Sequence, residues 1–279
     1  LSATAAVAMA QEKYYMLTGT YTSSGSQGIY VYEFNTRNGH ADLLHTARTS
    51  NPSFLALSPG NKYVYAVNEN ANAAGNGGMV TSFAFDKNTG ALAAIDSQSS
   101  KGNHPCYIAA DKTGSWLAVG NYSSGNFCFI PALPDGKLDT AVVSITHAGK
   151  GPDKRQASPH VHATVFSPDN RFVLVNDLGI DKIMVYRFNA HTSSVQLVAE
   201  ASVEAGSGPR HLVFHPKKEF VYLLNELKGT VNVFRYHTKN GSLVPVQTIS
   251  SLEKDFKGFA GSADIHLSAD GKFLYASNR

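Results

Sequence analysis

Apolar residues in this chain gather in short runs separated by clusters of Gly, Asn, Asp, Ser and Pro. Runs of that length predict strands, not helices. One phrase returns five times, beginning at Pro52, Pro105, Val161, Pro209 and Ser262. Each copy is an apolar run, a four-residue turn, and a second apolar run ending in Asn or Asp. Between copies lies a further hairpin, turning at Asn38-Gly39, Asn88 to Gly90, Asp135-Gly136, His191 to Ser194 and Asn240-Gly241. Asn-Gly and Asp-Gly between apolar runs predict tight turns whose two central residues both take positive φ. Every period of about fifty residues is therefore four antiparallel strands, a to d.

The b strands (Tyr63 to Val67, Phe172 to Val175, Phe220 to Leu224) are apolar almost throughout. Such runs predict sheets covered on both faces, as when blades stack around an axis. The expected fold is an all-β propeller of four-stranded antiparallel blades. A lone b strand, Lys13 to Thr18, opens the series, and Arg279 closes it after an a–b pair. About five and a half blades are then present, and the expectation is an incomplete segment of a six- or seven-bladed ring.

Residues 11–279 form one propeller domain on this reading. Residues 1–10 are small and apolar, and Ala8-Met9-Ala10 has the form that precedes a secretory cleavage site. They read as the remnant of a signal peptide or as a disordered arm. The periplasm or the exterior is the expected location, with the cytoplasm as runner-up. No other run is long enough to cross a bilayer. The net charge of +3 comes without a dense Lys/Arg tract, so nucleic acid is not an expected partner. Cys106 and Cys128, the two cysteines, fall on strands a and c of one blade, which are not neighbours, and read as inert thiols.

Strand a crosses the disc and strand b returns, so the residue opening a and the residue closing b share a rim. The second position of the phrase holds Ser53, Cys106, His162, Arg210 and Ala263. The last position holds Glu69, Tyr122, Leu178, Glu226 and Arg279. The position before it is always Asn or Asp (Asn68, Asn121, Asp177, Asn225, Asn278), which predicts a structural role in starting the next turn. In the two varying columns, His162, Arg210, Glu226 and Arg279 sit on three consecutive blades and should point into one opening. A neutral His can take a proton from water, and an Arg can hold a carboxylate, a phosphate or a developing oxyanion. A rim salt-bridge network that only pins the blades would use the same residues. Lys150, Lys154 and Arg155 precede His162, and Gly206 to His211 surround Arg210, as Gly-rich basic approaches that can wrap an anion. His160 and His162 alternate onto one side of a strand, a spacing that a metal can use, but no further ligand is fixed by the register.

Several of these segments, in order and spacing, resemble the seven-bladed propeller lactonase family. They are Arg155-Gln156, Ser158 to His162, Gly208 to His211, Asn225 to Leu227, Ala263 to Ser268 and Tyr275 to Arg279. Leu17 to Tyr21 and Pro52 to Leu55 fit as well. The family includes the propeller-type 6-phosphogluconolactonases and the fungal carboxymuconate cyclases. The resemblance implies a cofactor-free enzyme acting on a sugar-derived or dicarboxylic lactone. It implies His162, Arg210, Glu226 and Arg279 as the active residues; His162, Arg210 and Glu226 are the expected catalytic ones, and Arg279, Arg155, His160 and His211 the expected substrate-binding ones. The expected function is 6-phosphogluconolactonase-like hydrolysis of an anionic small-molecule lactone, with no bound metal. The alternatives are a carboxymuconate cyclase-like lactonising enzyme, a non-enzymatic exported propeller serving as a binding scaffold, and a metal-dependent propeller lactonase.

Overall fold

The apolar b strands have no wet face because a sheet stands against each side of them. This arrangement is seen in a computed structural model that describes residues 14–279. The expected leader at 1–10, the first residues of the expected domain and Lys13 lie outside the described residues. The first sheet is β1 (Tyr14–Thr18), β2 (Gly28–Phe34) and β3 (Ala41–Arg48). The second is β4 (Leu55–Leu57), β5 (Tyr63–Asn68), β6 (Met79–Phe85) and β7 (Leu92–Ser99). The third is β8 (Pro105–Ala110), β9 (Trp116–Asn121), β10 (Asn126–Pro131) and β11 (Val143–Thr146). The fourth is β12 (Val161–Phe166), β13 (Phe172–Asp177), β14 (Lys182–Asn189) and β15 (Ser194–Ser202). The fifth is β16 (Pro209–Phe214), β17 (Phe220–Asn225), β18 (Thr230–Tyr236) and β19 (Leu243–Ser250). A last pair, β20 (Ser262–Leu267) and β21 (Leu274–Asn278), completes the described strands. Strands within each sheet follow chain order and pair antiparallel, so each full period is one blade.

Side chains of a b strand divide between two neighbours. Tyr63, Tyr65 and Val67 of β5 pack with Ile108, Leu117 and Val119 of the following blade. Val64 and Ala66 of the same strand pack with Ile29 and Val31 of the preceding one. β9 splits likewise, Leu117 and Val119 facing back and Trp116 and Ala118 facing Val173 and Val175. A strand buried on both faces gains from an apolar residue at every position, which is why it does not alternate. Burying each such side chain contributes about 1.5–3 kcal/mol, so the seams between blades hold the array together.

The turns depart from expectation in their detail. β2 and β3 are joined through Asn35 to His40, with Asn35 N donating to His40 O at 2.9 Å and Gly39 N to Asn35 O at 2.8 Å. These loops are longer than two-residue turns, and one residue in each takes positive φ: Gly39, Gly90, Gly136, Gly241, and Ser193 in the loop that lacks glycine. The Asp135-Gly136 turn closes a bridge between Ala132 and Leu138, and β11 begins only afterwards.

The Asn/Asp column is structural, with a different job from the one expected of it. Asn68 donates to Ser50 O at 2.7 Å, Asn121 to Ser100 O at 2.8 Å and Asn278 to Ser251 O at 3.0 Å. Those carbonyls follow β3, β7 and β19, so each side chain ties its b strand to the segment arriving from the previous blade. Asp177 does cap its own turn, accepting from Gly179 N at 2.9 Å, and it reaches the incoming segment through His147 at 2.7 Å. Asn121 is fully buried. Asn121→Ala should therefore leave the Ser100 carbonyl without its donor and cost about 1–3 kcal/mol. Chemical denaturation reads this as a lower midpoint at unchanged slope; an unchanged midpoint would refute the tether.

Candidate active site

The first strand of a blade carries an irregularity at the position where the candidate residues sit. Pairing slips between Pro105 and Tyr107, between Val161 and Ala163, and between Pro209 and His211. Cys106, His162 and Arg210 are the residues skipped. An extra residue in a bulge is released from the ladder and re-aimed, here toward the opening at the end of the strands. The bulge also breaks strict alternation, so His160 and His162 do not share a strand face as the spacing suggested. His160 precedes β12, stacks on Tyr122 at 4.4 Å between ring centres and holds Tyr122 O through Nδ1 at 3.0 Å.

One cavity of about 230 Å³ is lined by Tyr21, Ser53, Phe54, Glu69, Cys106, Tyr122, Arg155, His162, Arg210, His211, Glu226 and Arg279. Six of the seven residues proposed from sequence line it; His160 supports its wall from behind Tyr122. Lys150 and Lys154 are exposed and outside the lining.

Glu226 is the hub. Its carboxylate is 2 % exposed and meets Arg155 Nη2 at 2.7 Å and Arg279 Nη2 at 3.2 Å through Oε1. Oε2 lies 3.5 Å from Arg210 Nε and 3.6 Å from His162 Nε2. Neither Glu226 Oε2 nor Arg210 Nε has a hydrogen-bond partner, so this pair attracts without bonding. A buried carboxylate needs such partners, because desolvation of an unpaired charge costs several kcal/mol (an order-of-magnitude figure, about 3–5) when one partner is removed.

Arg155 reaches Glu226 because its short 3₁₀ turn, Lys154–Gln156, is pinned at both ends. Asp153 accepts from Arg155 N at 2.8 Å, and the buried Gln156 side chain donates to Asp181 at 2.7 Å and to Leu178 O at 2.8 Å. The sequence signal for this was the Arg155-Gln156 pair itself.

Arg210 Nη1 lies 2.8 Å from His162 Nε2. The same nitrogen lies 3.4 Å from Nδ1, so the guanidinium stands over the ring face and not in line with one lone pair; Nδ1 is 3.6 Å from Cys106 Sγ. Burial first, then the charge of Arg210 and its neighbours, holds the His162 imidazole well below its ordinary value of 6.5. The ring is therefore neutral at working pH. Burial also lowers His211, whose Nδ1 holds Asp264 at 2.8 Å while its Nε2 is buried without a partner. Burial, then the charge of Glu69, pushes the Cys106 thiol up, so it is no thiolate nucleophile. Cys128 is separated from it by β9, and both are free.

The charged columns of the later blades were legible; the contributions of the earlier ones were passed over. Ser53, Cys106, Glu69 and Tyr122 occupy the same two columns and line the same cavity. Glu69 Oε2 accepts from Tyr21 Oη at 2.8 Å and from the Ser53 hydroxyl. Leu178 and Ala263, in the same columns, do not line it. Among the described residues no three His, Cys, Asp or Glu side chains cluster as a metal site, and no helix is long and apolar enough to cross a membrane.

Residues 15–279 match the family model described as "Lactonase, 7-bladed beta-propeller". The chain is 34% identical over 268 residues to a 6-phosphogluconolactonase of Bacillus subtilis, covering 96% of this chain and 75% of that one. It is 38% identical over 270 residues to a 6-phosphogluconolactonase of Formosa agariphila, with 95% and 75% covered. The periplasmic gluconolactonase of Pseudomonas aeruginosa superposes with a TM-score of 0.90 at 38% identity, over 96% of this chain and 76% of that structure. The chain thus spans about three quarters of the length of these relatives.

The buried imidazoles give stability a pH dependence. Their folded values lie below 6.5, so over the interval up to 6.5 the unfolded chain binds protons that the folded chain refuses. Their contribution is complete above pH ~6.5 and is lost as pH falls through the folded values. Unfolding free energy should fall between about pH 7 and 5, and less steeply in His162→Gln. An unaltered slope in that variant would contradict the assignment.

Proposed function

The chain belongs to the seven-bladed β-propeller lactonase family, and from that premise we propose that it hydrolyses a sugar-derived lactone of the 6-phosphogluconolactone type to its acid in the rim cavity, with His162, Arg210 and Glu226 as the catalytic residues. The observation that carries the reading is the 2.8 Å contact from Arg210 Nη1 to His162 Nε2, beside Glu226. A lactone carbonyl oxygen entering the cavity accepts an N–H from Arg210, which places a positive donor on the oxygen that becomes the oxyanion, beside the neutral imidazole. Nε2 then accepts a proton from a water as its oxygen attacks the carbonyl carbon. The ring C–O bond breaks, the proton passes to the departing alkoxide oxygen, and a hydroxy acid results. Glu226 Oε2, 3.6 Å from Nε2, faces the imidazolium while it exists.

Arg155 and Arg279 each pair with Glu226 Oε1 and remain partly exposed, at 34% and 58% of the side chain. Their free donors suit a phosphate or carboxylate on the substrate. His211 forms part of the wall, and His160 fixes Tyr122 behind it. Export to the periplasm belongs to the same proposal. The Ala8-Met9-Ala10 sequence and the likeness to a periplasmic gluconolactonase support it.

Hydrolysis of glucono-1,5-lactone, with and without a 6-phosphate, tests the assignment. His162→Ala, Arg210→Ala and Glu226→Ala should each lower kcat by about 100-fold or more. Arg155→Ala and Arg279→Ala should raise KM for the phosphorylated lactone more than for the plain one. Wild-type rates in the first three variants would remove the mechanism, and equal effects on both lactones would remove the anion role.

A further inference from the structure

The cavity has a second pole that the proposed chemistry leaves idle. Glu69 ends β5's return to the rim at the same repeat position that Glu226 occupies three blades later. Glu226 is surrounded by guanidiniums, whereas Glu69 has no Lys, Arg or His within salt-bridge distance among the described residues. Its neighbours are hydroxyls: Tyr21 Oη at 2.8 Å and Ser53 Oγ both bond Oε2. Among the described residues Oε1 takes no hydrogen bond, and the residue lines the cavity. Three arginines and two carboxylates thus face one small space, with the cations gathered at one side and the unpaired anion at the other.

We propose that Glu69, held by Tyr21 and Ser53, is a hydroxyl-recognising subsite that selects polyhydroxylated lactones over dicarboxylic ones. The proposal rests on the lactonase reading above and assigns the part of the substrate remote from the arginines. A carboxylate oxygen is an acceptor only, and sugar hydroxyls are donors that satisfy it. Ser53 and Tyr21 spend their protons on Oε2, so their oxygens still accept from a neighbouring hydroxyl of a diol. A substrate carboxylate brought to the same place meets a like charge with no cation between them, and it also has no proton to donate. The subsite therefore separates the two lactone chemistries open to this family, sugar-derived and dicarboxylic, by repulsion as well as attraction.

The test compares wild type with Glu69→Gln on glucono-1,5-lactone, on δ-valerolactone, which has the ring without the hydroxyls, and on muconolactone, which carries a carboxylate. The variant's preference for gluconolactone over δ-valerolactone, as a ratio of kcat/KM, should fall by about tenfold to a hundredfold, chiefly through KM. Its relative activity on muconolactone should rise. An unchanged gluconolactone preference overturns the subsite. If wild type hydrolyses none of the three and not 6-phosphoglucono-1,5-lactone either, it is the lactonase reading that fails. Calorimetric binding of gluconate then decides the subsite by itself: at least tenfold weaker binding in Glu69→Gln upholds it, and equal binding overturns it.

Discussion

A carboxylate at 2 % exposure ties together three parts of the chain that are remote in sequence. Arg155 comes from the loop before β12, Arg210 from the bulge of β16, and Arg279 from beyond β21. Each guanidinium alone at the mouth of the disc would be solvated and mobile. Sharing Glu226, they are drawn together despite their mutual repulsion. Replacing a buried ion cluster of this kind with apolar residues is often neutral or stabilising. Its retention here thus points to what the cations can do at an opening, more than to what they add to stability. The excess of cation over anion leaves donors unspent, and those donors face the cavity.

A repeated scaffold makes such convergence cheap. The b strands, the Asn/Asp column (a tether at every blade except that of Asn225, which bonds its own β18) and the serine or aspartate caps of the a–b turns (Ser58, Asp111, Ser167, Ser268) recur with little change. They place one position per blade on the same rim, and in three successive blades that position is a bulge. Chemistry then depends on which side chain fills each seat. With Ser53 and Cys106 on the earlier blades and His162 and Arg210 on the later ones, this one column is uncharged at its start and carries its cation at Arg210. No blade needs a special backbone to achieve this.

The period, the strand order and the seam-facing b strands could be read because burial on both faces forces an apolar run and a fixed period forces equal seats. The pairing of His162 with Arg210, 48 residues apart, followed from those seats alone. Three features did not follow. The bulge that separates His160 from His162 is an event in the ladder, and its residues obey no special composition. Arg155 reaches Glu226 through a turn held by buried Gln156; the Arg155-Gln156 pair was legible, but the tertiary bond from Gln156 to Asp181 was not. Glu69 stood in the right column but was passed over, because the reading followed dense charge and Glu69's partners are the uncharged Tyr21 and Ser53. The hairpin glycines were found, yet their loops proved longer than the two-residue turns that Asn-Gly suggests, with one left-handed residue sufficing.

The depressed basicity of His162 looks at first like a poor choice for an acceptor of protons. Burial and Arg210 disfavour the imidazolium, so the ring gives up readily whatever proton it takes. On the proposed route that is an advantage. Attack on the lactone creates an oxyanion beside the guanidinium that lowers the imidazole's affinity for a proton, so the field that opposes one charge favours the other. The two charges arise together and partly cancel. A strongly basic imidazole would keep the proton and strand the alkoxide; a weak one returns it to the departing ring oxygen. Glu226 Oε2, 3.6 Å from Nε2 and too poorly aligned to bond Arg210 Nε, stands where the transient imidazolium forms.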